Sequence, residues 1–208
     1  MEKNKILSAV DHYYSEKIRN FGATPAGVDW NSVDSQELRF SQLLKIIDQS
    51  KDHFSLLDYG CGYGSLYDYI RRYFANFNFT GFDISKEMII EAEKKFSSGK
   101  SLKWISTVDQ LDTHDYLIAS GIFNVRNQFT DDEWLSYILD TLNQMNSLSK
   151  FGFSFNILTA YSDKDKMRDY LFYADPLFFF DYCKKKFSKQ VALLHDYPIY
   201  EFTILVRK

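Results

Sequence analysis

Apolar positions recur along this chain at two periods, and the switch between them marks out its elements. Ile6, Leu7, Val10, Tyr13, Tyr14 and Ile18 fall three and four residues apart, the spacing of one helical face, which predicts a helix over 5–19. A break from Gly22 to Gly27 contains Pro25. A second helix is predicted over about 35–49, with Phe40, Leu43, Leu44 and Ile47 facing inward. From residue 54 onward, short apolar runs alternate with helical stretches. Strands are expected at 54–58, 77–83, 102–106, 115–120 and 151–158, and a helix at 65–74. Ser85 is placed to cap a helix bearing Met88, Ile89, Ala92 and Phe96. Thr130 and Glu133 form a capping-box pattern ahead of Trp134, Leu135, Ile138, Leu142 and Met145. Ser162 is expected to open a helix to about Tyr173, and Asp175-Pro176 reads as an N-cap and first-turn proline for a helix to about Lys186. Strands at 190–195 and 199–206 are joined by so short a link that an antiparallel hairpin is expected.

Strands alternating with helices predict an α/β fold, a doubly wound, mostly parallel sheet with helices on both faces. At 208 residues one globular unit is expected, residues 51–208, preceded by a helical extension over 1–50. No repeat or low-complexity segment interrupts it.

Candidate chemistry concentrates at one turn. The first strand runs into Asp58, followed by Gly60, Gly62 and Gly64 at alternate positions and then a helix. Glycine lets a ligand approach bare backbone and tolerates positive φ, and a helix N-terminus aimed at the ligand favours anions. The second strand ends in Gly81-Phe82-Asp83, and an acid there is placed to hold ribose hydroxyls. Either acid alone could equally be a turn or helix-capping carboxylate; the two at this spacing make the ligand reading strong. A dinucleotide fingerprint would want Gly-x-Gly-x-x-Gly, and its last position is Ser65 here.

Asp58-x-Gly60-x-Gly62-x-Gly64 followed by Gly81-Phe-Asp-Ile-Ser resembles the first two motifs of class I S-adenosylmethionine-dependent methyltransferases of the small-molecule type. The resemblance implies a Rossmann-like, three-layer α/β/α domain of seven strands with an antiparallel last strand, using S-adenosylmethionine and releasing S-adenosylhomocysteine. It implies that Asp58, Gly60, Cys61 and Gly62 meet the methionine end, that Asp83 accepts the ribose hydroxyls, and that Ile84 packs on adenine with Met88 behind it. Asp109, just after the third strand, is the candidate adenine-edge acid, or else a turn residue. The N-terminal helices resemble a lid, for which Tyr13, Tyr14, Trp30, Gln36, Arg39 and Phe40 are candidates. Tyr14 and Arg39 are the expected cofactor contacts, Arg39 through a bidentate bond to the methionine carboxylate.

Ligands of open α/β sheets bind beyond the C-terminal strand ends, which singles out the loop 120–127. Phe123 and Asn124 are the candidate substrate wall, Asn124 orienting a polar nucleophile or merely bonding its own backbone. Arg126 is a candidate for a substrate carboxylate or phosphate, or a solvated cation. Tyr161 and Tyr170 follow the fifth strand and could line the pocket, with Tyr173 beside them. His195 is a candidate general base, or a histidine bonded within the hairpin.

Composition narrows the partners. The net charge is −3, which provides no basic face for nucleic acid, and an aromatic share of 18 % could thicken the core or line an apolar pocket. Two cysteines, Cys61 and Cys183, make neither a disulfide framework nor a zinc site. No run approaches a membrane span, and a cytoplasmic protein is the default expectation. Two alternatives stay open: a nicotinamide-dependent oxidoreductase on a similar fold, and a non-catalytic methyltransferase-like binding module.

Overall fold

The computed structural model describes residues 2–28, 30 and 32–208. Its centre is a seven-stranded sheet. β1 (Phe54–Tyr59) pairs in parallel with β2 (Phe77–Phe82) on one side and β4 (His114–Ala119) on the other. β3 (Leu102–Ile105) extends the β2 edge and β5 (Ser149–Leu158) the β4 edge. β7 (Glu201–Arg207) then runs antiparallel to β5, and β6 (Gln190–Leu194) closes the sheet antiparallel to β7. The order is therefore β3-β2-β1-β4-β5-β7-β6, with six strands pointing one way and β7 reversed, as the hairpin pattern predicts.

Two helical layers cover the sheet. α2 (Val33–Leu43), α3 (Ser65–Ile70) and α4 (Lys86–Lys95) bury Phe40, Leu43, Leu66, Ile70 and Ile89 against Leu56, Ile118 and Leu205. On the opposite face α5 (Asp131–Leu148) and α6 (Pro176–Lys186) bury Trp134, Ile138, Leu142 and Phe179 against Leu57, Leu117, Phe155 and Phe202. Neighbouring strand residues such as Leu56 and Leu57 face opposite layers, so both are fully buried and the central strands read as continuous apolar runs. α1 (Glu2–Phe21) lies across the ligand edge of the sheet, with Ile6 in the second core and Ile18 against Tyr63 and Met88.

The helix starts follow their caps. Thr130 and Glu133 make the full capping box of α5, Ser85 accepts from the Met88 N–H, and Asp175 accepts from the Leu177 N–H ahead of Pro176. Three helical expectations differ. α2 gives way at Leu44–Ile46 to a 3-10 turn, short of residue 49. α3 ends at Ile70, short of residue 74, because Phe74 turns back onto Phe54, ring centroids 5.2 Å apart. Residues 162–173 form one turn of 3-10 helix, Lys164–Lys166, and no α-helix. This stretch is charged and lacks a helical apolar stripe; its backbone bonds to two strand ends instead. The Phe172 N–H donates to the Asn124 carbonyl at 2.8 Å, the Ala174 N–H to Leu158 at 2.8 Å, and the Arg126 N–H to Tyr170 at 3.0 Å. The strap so formed pins down the loop after β4.

Candidate active site

The C-terminal ends of β1, β2 and β4 open onto a cleft. The glycine turn forms its floor. Gly60, Gly62 and Gly64 all have positive φ, at 86°, 52° and 82°. Gly60 cannot be replaced cheaply, since an added Cβ would lie 2.2 Å from Ile122 Cγ2. The turn is tied to β2 by the Gly60 and Cys61 N–H groups, both donating to the Phe82 carbonyl at 2.7 and 2.9 Å. The Trp104 ring packs beneath it, where Cβ atoms at Gly64 or Gly81 would stand.

Two carboxylates face the cleft. Asp83 closes the turn by accepting the Gly62 N–H through Oδ2 and the Ser85 N–H through Oδ1, each at 2.9 Å. Burial raises its pKa to about 6; the two N–H donors pull the other way and nearby Asp11 adds to the rise. Asp58 is 2 % exposed and its carboxylate accepts no hydrogen bond from the described residues. Burial, then the neighbouring Asp83 charge, pushes its pKa well above the ordinary carboxylate range. Asp58 lines the open cleft, where a donor or cation brought by a ligand can reach its carboxylate.

The N-terminal elements roof the cleft. Tyr14 and Val10 from α1, Val28 and Trp30 from the connection, and Gln36 and Phe40 from α2 all line it. α1 is fastened to the start of α4: Ser15 Oγ meets Ser85 Oγ at 2.8 Å and donates to Glu87, and Arg19 pairs with Glu87. Gln36 is held between Ser65 and the Tyr63 hydroxyl. Trp30 sits over Gly121, φ +75°, whose absent Cβ would fall 2.3 Å from the indole ring.

The structure therefore brings Asp58, Gly60, Cys61, Gly62, Asp83, Ile84, Met88 and Tyr14 around one cleft. It separates the other candidates. Asp109 is exposed in a 3-10 turn, Val108–Gln110, away from the cleft lining. Arg39 is buried behind Trp30 and bonded bidentately to Glu201, both contacts 2.9 Å, so its fork is already filled. Phe123 is fully buried in the core, and its carbonyl accepts the Trp134 indole N–H. Asn124 is consumed structurally: its amide donates to Glu201 at 3.3 Å and its oxygen accepts the Leu158 N–H at 3.1 Å. Arg126 caps a local turn, bonding the Phe129 carbonyl and pairing with Asp131 at 3.0 Å. The strap that replaces the expected helix leaves Tyr161 and Tyr170 exposed, at 67 % and 47 %. His195 is exposed beside Tyr161, ring centroids 5.9 Å apart, and lines no part of the cleft. None of these residues is placed to touch a ligand there.

Several contributors were not singled out from the sequence. Tyr137 lines the cleft from α5; it lies three residues after Trp134 on the same inward face, which was the available signal. Burial pushes its hydroxyl up to about 12. Val10 and Val28 read as ordinary apolar positions. Glu201 is the acid that opens β7, and its carboxylate also accepts from Asn156, whose oxygen takes the Gly121 N–H at 2.9 Å.

Residues 57–148 match the family model described as a methyltransferase domain. A Mycobacterium tuberculosis protein named "Putative methyltransferase Rv1506c" is 50 % identical over 162 residues, spanning 78 % of this chain and 98 % of its own. The magnesium protoporphyrin IX methyltransferase of Synechocystis PCC 6803, solved with S-adenosylhomocysteine, superposes over the full length of both chains with a TM-score of 0.67 at 16 % identity. Human N-acetylserotonin methyltransferase does so over 82 % of this chain and 52 % of its own, with a TM-score of 0.57 at 18 % identity. The chain belongs to the class I S-adenosylmethionine-dependent methyltransferases. No helix among the described residues is long and apolar enough to cross a membrane.

Proposed function

We propose that the cleft binds S-adenosylmethionine and that the protein transfers its methyl group to a small-molecule acceptor at oxygen or nitrogen. The observation that carries this is the Asp58–Asp83 pair at the glycine turn. One buried carboxylate lacks any donor from the described residues, and the other is already aligned by two backbone N–H groups. An amine-bearing, hydroxyl-rich ligand supplies the missing donors, and the bare backbone at Gly60 admits it where a Cβ would collide.

In this reading Asp58 takes the amino group of the methionine end, beside Gly60, Cys61 and Gly62. Asp83 takes the ribose hydroxyls, and Ile84 and Met88 flank the adenine. When bound, the sulfonium supplies an already electrophilic methyl group. The protein's part is then alignment and exclusion of water, which the roof of Tyr14, Val28 and Trp30 provides. Residues 1–50 serve as lid and wall to the catalytic unit 51–208. Asn124 and His195, engaged elsewhere or exposed, are not assigned as bases. Nothing in the site supports the nicotinamide alternative, and an intact turn with both acids argues against a non-catalytic module. Two buried, unpaired cysteines suit a reducing cytoplasm.

Titration calorimetry with S-adenosylhomocysteine against NADH tests the reading. Saturable binding of the first, lost in Asp83→Ala, is expected. Binding of NADH alone would overturn it.

A further inference from the structure

A ligand with an α-amino acid end carries its ammonium and its carboxylate on one carbon. Once Asp58 holds the ammonium, the carboxylate must fall on polar lining close by. Arg39, the cation expected there, is not available: Nε and Nη2 donate to Glu201, and Nη1 donates to the Ser35 carbonyl at 2.7 Å. The cleft lining contains no other Lys, Arg or His among the described residues.

The pleat of β1 selects one wall. Alternate residues of a strand share a face. Leu56 packs under α2 and α3 with Phe40 and Leu66, so Asp58, two residues on, turns to that same layer. Tyr59 turns to the opposite one, in the core with Tyr137 and bonded to Gln144. Two polar side chains of the α2 and α3 layer line the cleft, Gln36 and Ser65. They are joined: the Gln36 amide donates to Ser65 Oγ at 3.0 Å, and its oxygen accepts the Tyr63 hydroxyl at 3.4 Å. An amide nitrogen carries two hydrogens and a hydroxyl one. Gln36 therefore keeps a second N–H, and Ser65, an acceptor toward Gln36, keeps its own hydrogen, which can turn from the adjacent Tyr63 oxygen to the cleft. Ser120 also lines the cleft, but its hydroxyl oxygen is enclosed by protein.

Resting on the methyl-transfer reading above, we infer that Gln36 and Ser65 form the carboxylate subsite of the methyl donor, with neutral N–H and O–H groups in place of a cation. Hydrogen bonds to an ionised acceptor are roughly twice as strong as those between neutral groups. Two of them hold a carboxylate whose counter-charge, the ammonium, is already fixed at Asp58. Gln36 belongs to α2 and Ser65 opens α3 directly after the glycine turn, so the donor's carboxylate ties the N-terminal extension to the cleft floor.

The test is calorimetric titration of the full chain with S-adenosylhomocysteine and with 5′-deoxy-5′-(3-aminopropylthio)adenosine, which keeps the amine and lacks only the carboxylate. The parent is expected to bind S-adenosylhomocysteine at least about tenfold more tightly. Ser65→Ala removes one donor, and Gln36→Glu keeps the shape while setting an anion against the carboxylate. Each is expected to weaken S-adenosylhomocysteine at least about tenfold and the decarboxylated ligand by no more than about twofold. Ser65→Ala, at a half-buried position, keeps the test open if Gln36→Glu fails to fold. Absence of S-adenosylhomocysteine binding to the parent would overturn the methyl-transfer reading and this inference with it. With that binding intact, the carboxylate subsite alone is overturned by equal affinity of the parent for both ligands, by unchanged S-adenosylhomocysteine affinity in every variant that folds, or by equal weakening of both ligands.

Discussion

Replacing Arg39 by Met tests the buried polar network directly. Methionine keeps an unbranched stem against Trp30 but removes both 2.9 Å bonds to Glu201. Glu201, fully buried, is then left with only the Asn124 and Asn156 amides. Removing one partner of a buried ion pair costs about 3–5 kcal/mol, and the two remaining amides put the expected loss near the lower end, ~3 kcal/mol. A domain of this size loses about 2–4 °C per kcal/mol, so the melting temperature should fall by about 6–12 °C. The double variant Arg39→Met/Glu201→Gln leaves no buried charge and should recover to within ~1 kcal/mol of the parent, because apolar or neutral replacements of such pairs are often nearly neutral. Urea unfolding at pH 7 with a double-mutant cycle measures both. A loss below ~1 kcal/mol for the single variant, or a double variant no more stable than the single, would refute the claim that an uncompensated charge is the source.

Asp83 sets a pH dependence. Its folded pKa, about 6, lies above the ordinary carboxylate value, so the folded state takes up a proton that the unfolded chain does not. The cost of burying its charge is thus fully present above pH 6 and is relieved as pH falls from about 6 to about 4. Ligand binding should run the other way: S-adenosylhomocysteine affinity should fall as pH drops through about 6, and Asp83→Asn should flatten that profile in calorimetry. Gly60→Ala, forced to φ +86° with its Cβ 2.2 Å from Ile122, should weaken S-adenosylhomocysteine at least tenfold; an affinity within twofold of the parent would exclude the turn from the site. Thr130→Ala removes the capping box of α5 and should cost about 1 kcal/mol in urea unfolding without changing ligand affinity.

The fold was legible because its signals are local. Apolar runs bounded by caps at Ser85, Thr130 and Asp175 placed the helices, and the short link before β7 placed the reversed strand. The floor of the cleft was legible for the same reason: Asp58, the glycines and Asp83 sit at strand ends whose position the topology dictates, whereas Asp109 and Arg39, expected beside them, lie outside its lining. The residues expected to meet an acceptor were not placed there. Asn124, in the loop after β4, and Arg39, on α2 and expected at the methionine carboxylate, are both claimed by Glu201, a partner too far along the chain for spacing to reveal, while Arg126 is taken up locally by Asp131 and the Phe129 carbonyl. The expected helix at 162–173 failed likewise: its internal bonds make only short turns, and the Phe172 N–H and the Tyr170 carbonyl are tied to the loop after β4.

The reversal of β7 has a consequence for the order in which the site can be built. A parallel strand brings its last residue to the ligand edge, whereas β7 brings its first, Glu201, which lies 162 positions along the chain from its partner Arg39. During synthesis the glycine turn can close early, when β1 and β2 are out, yet Arg39 behind Trp30 cannot find its partner until β7 has been threaded between β5 and β6. Contacts of such long sequence separation form slowly. A nascent chain would therefore have the floor of its cleft well before the ion pair behind Trp30 is complete.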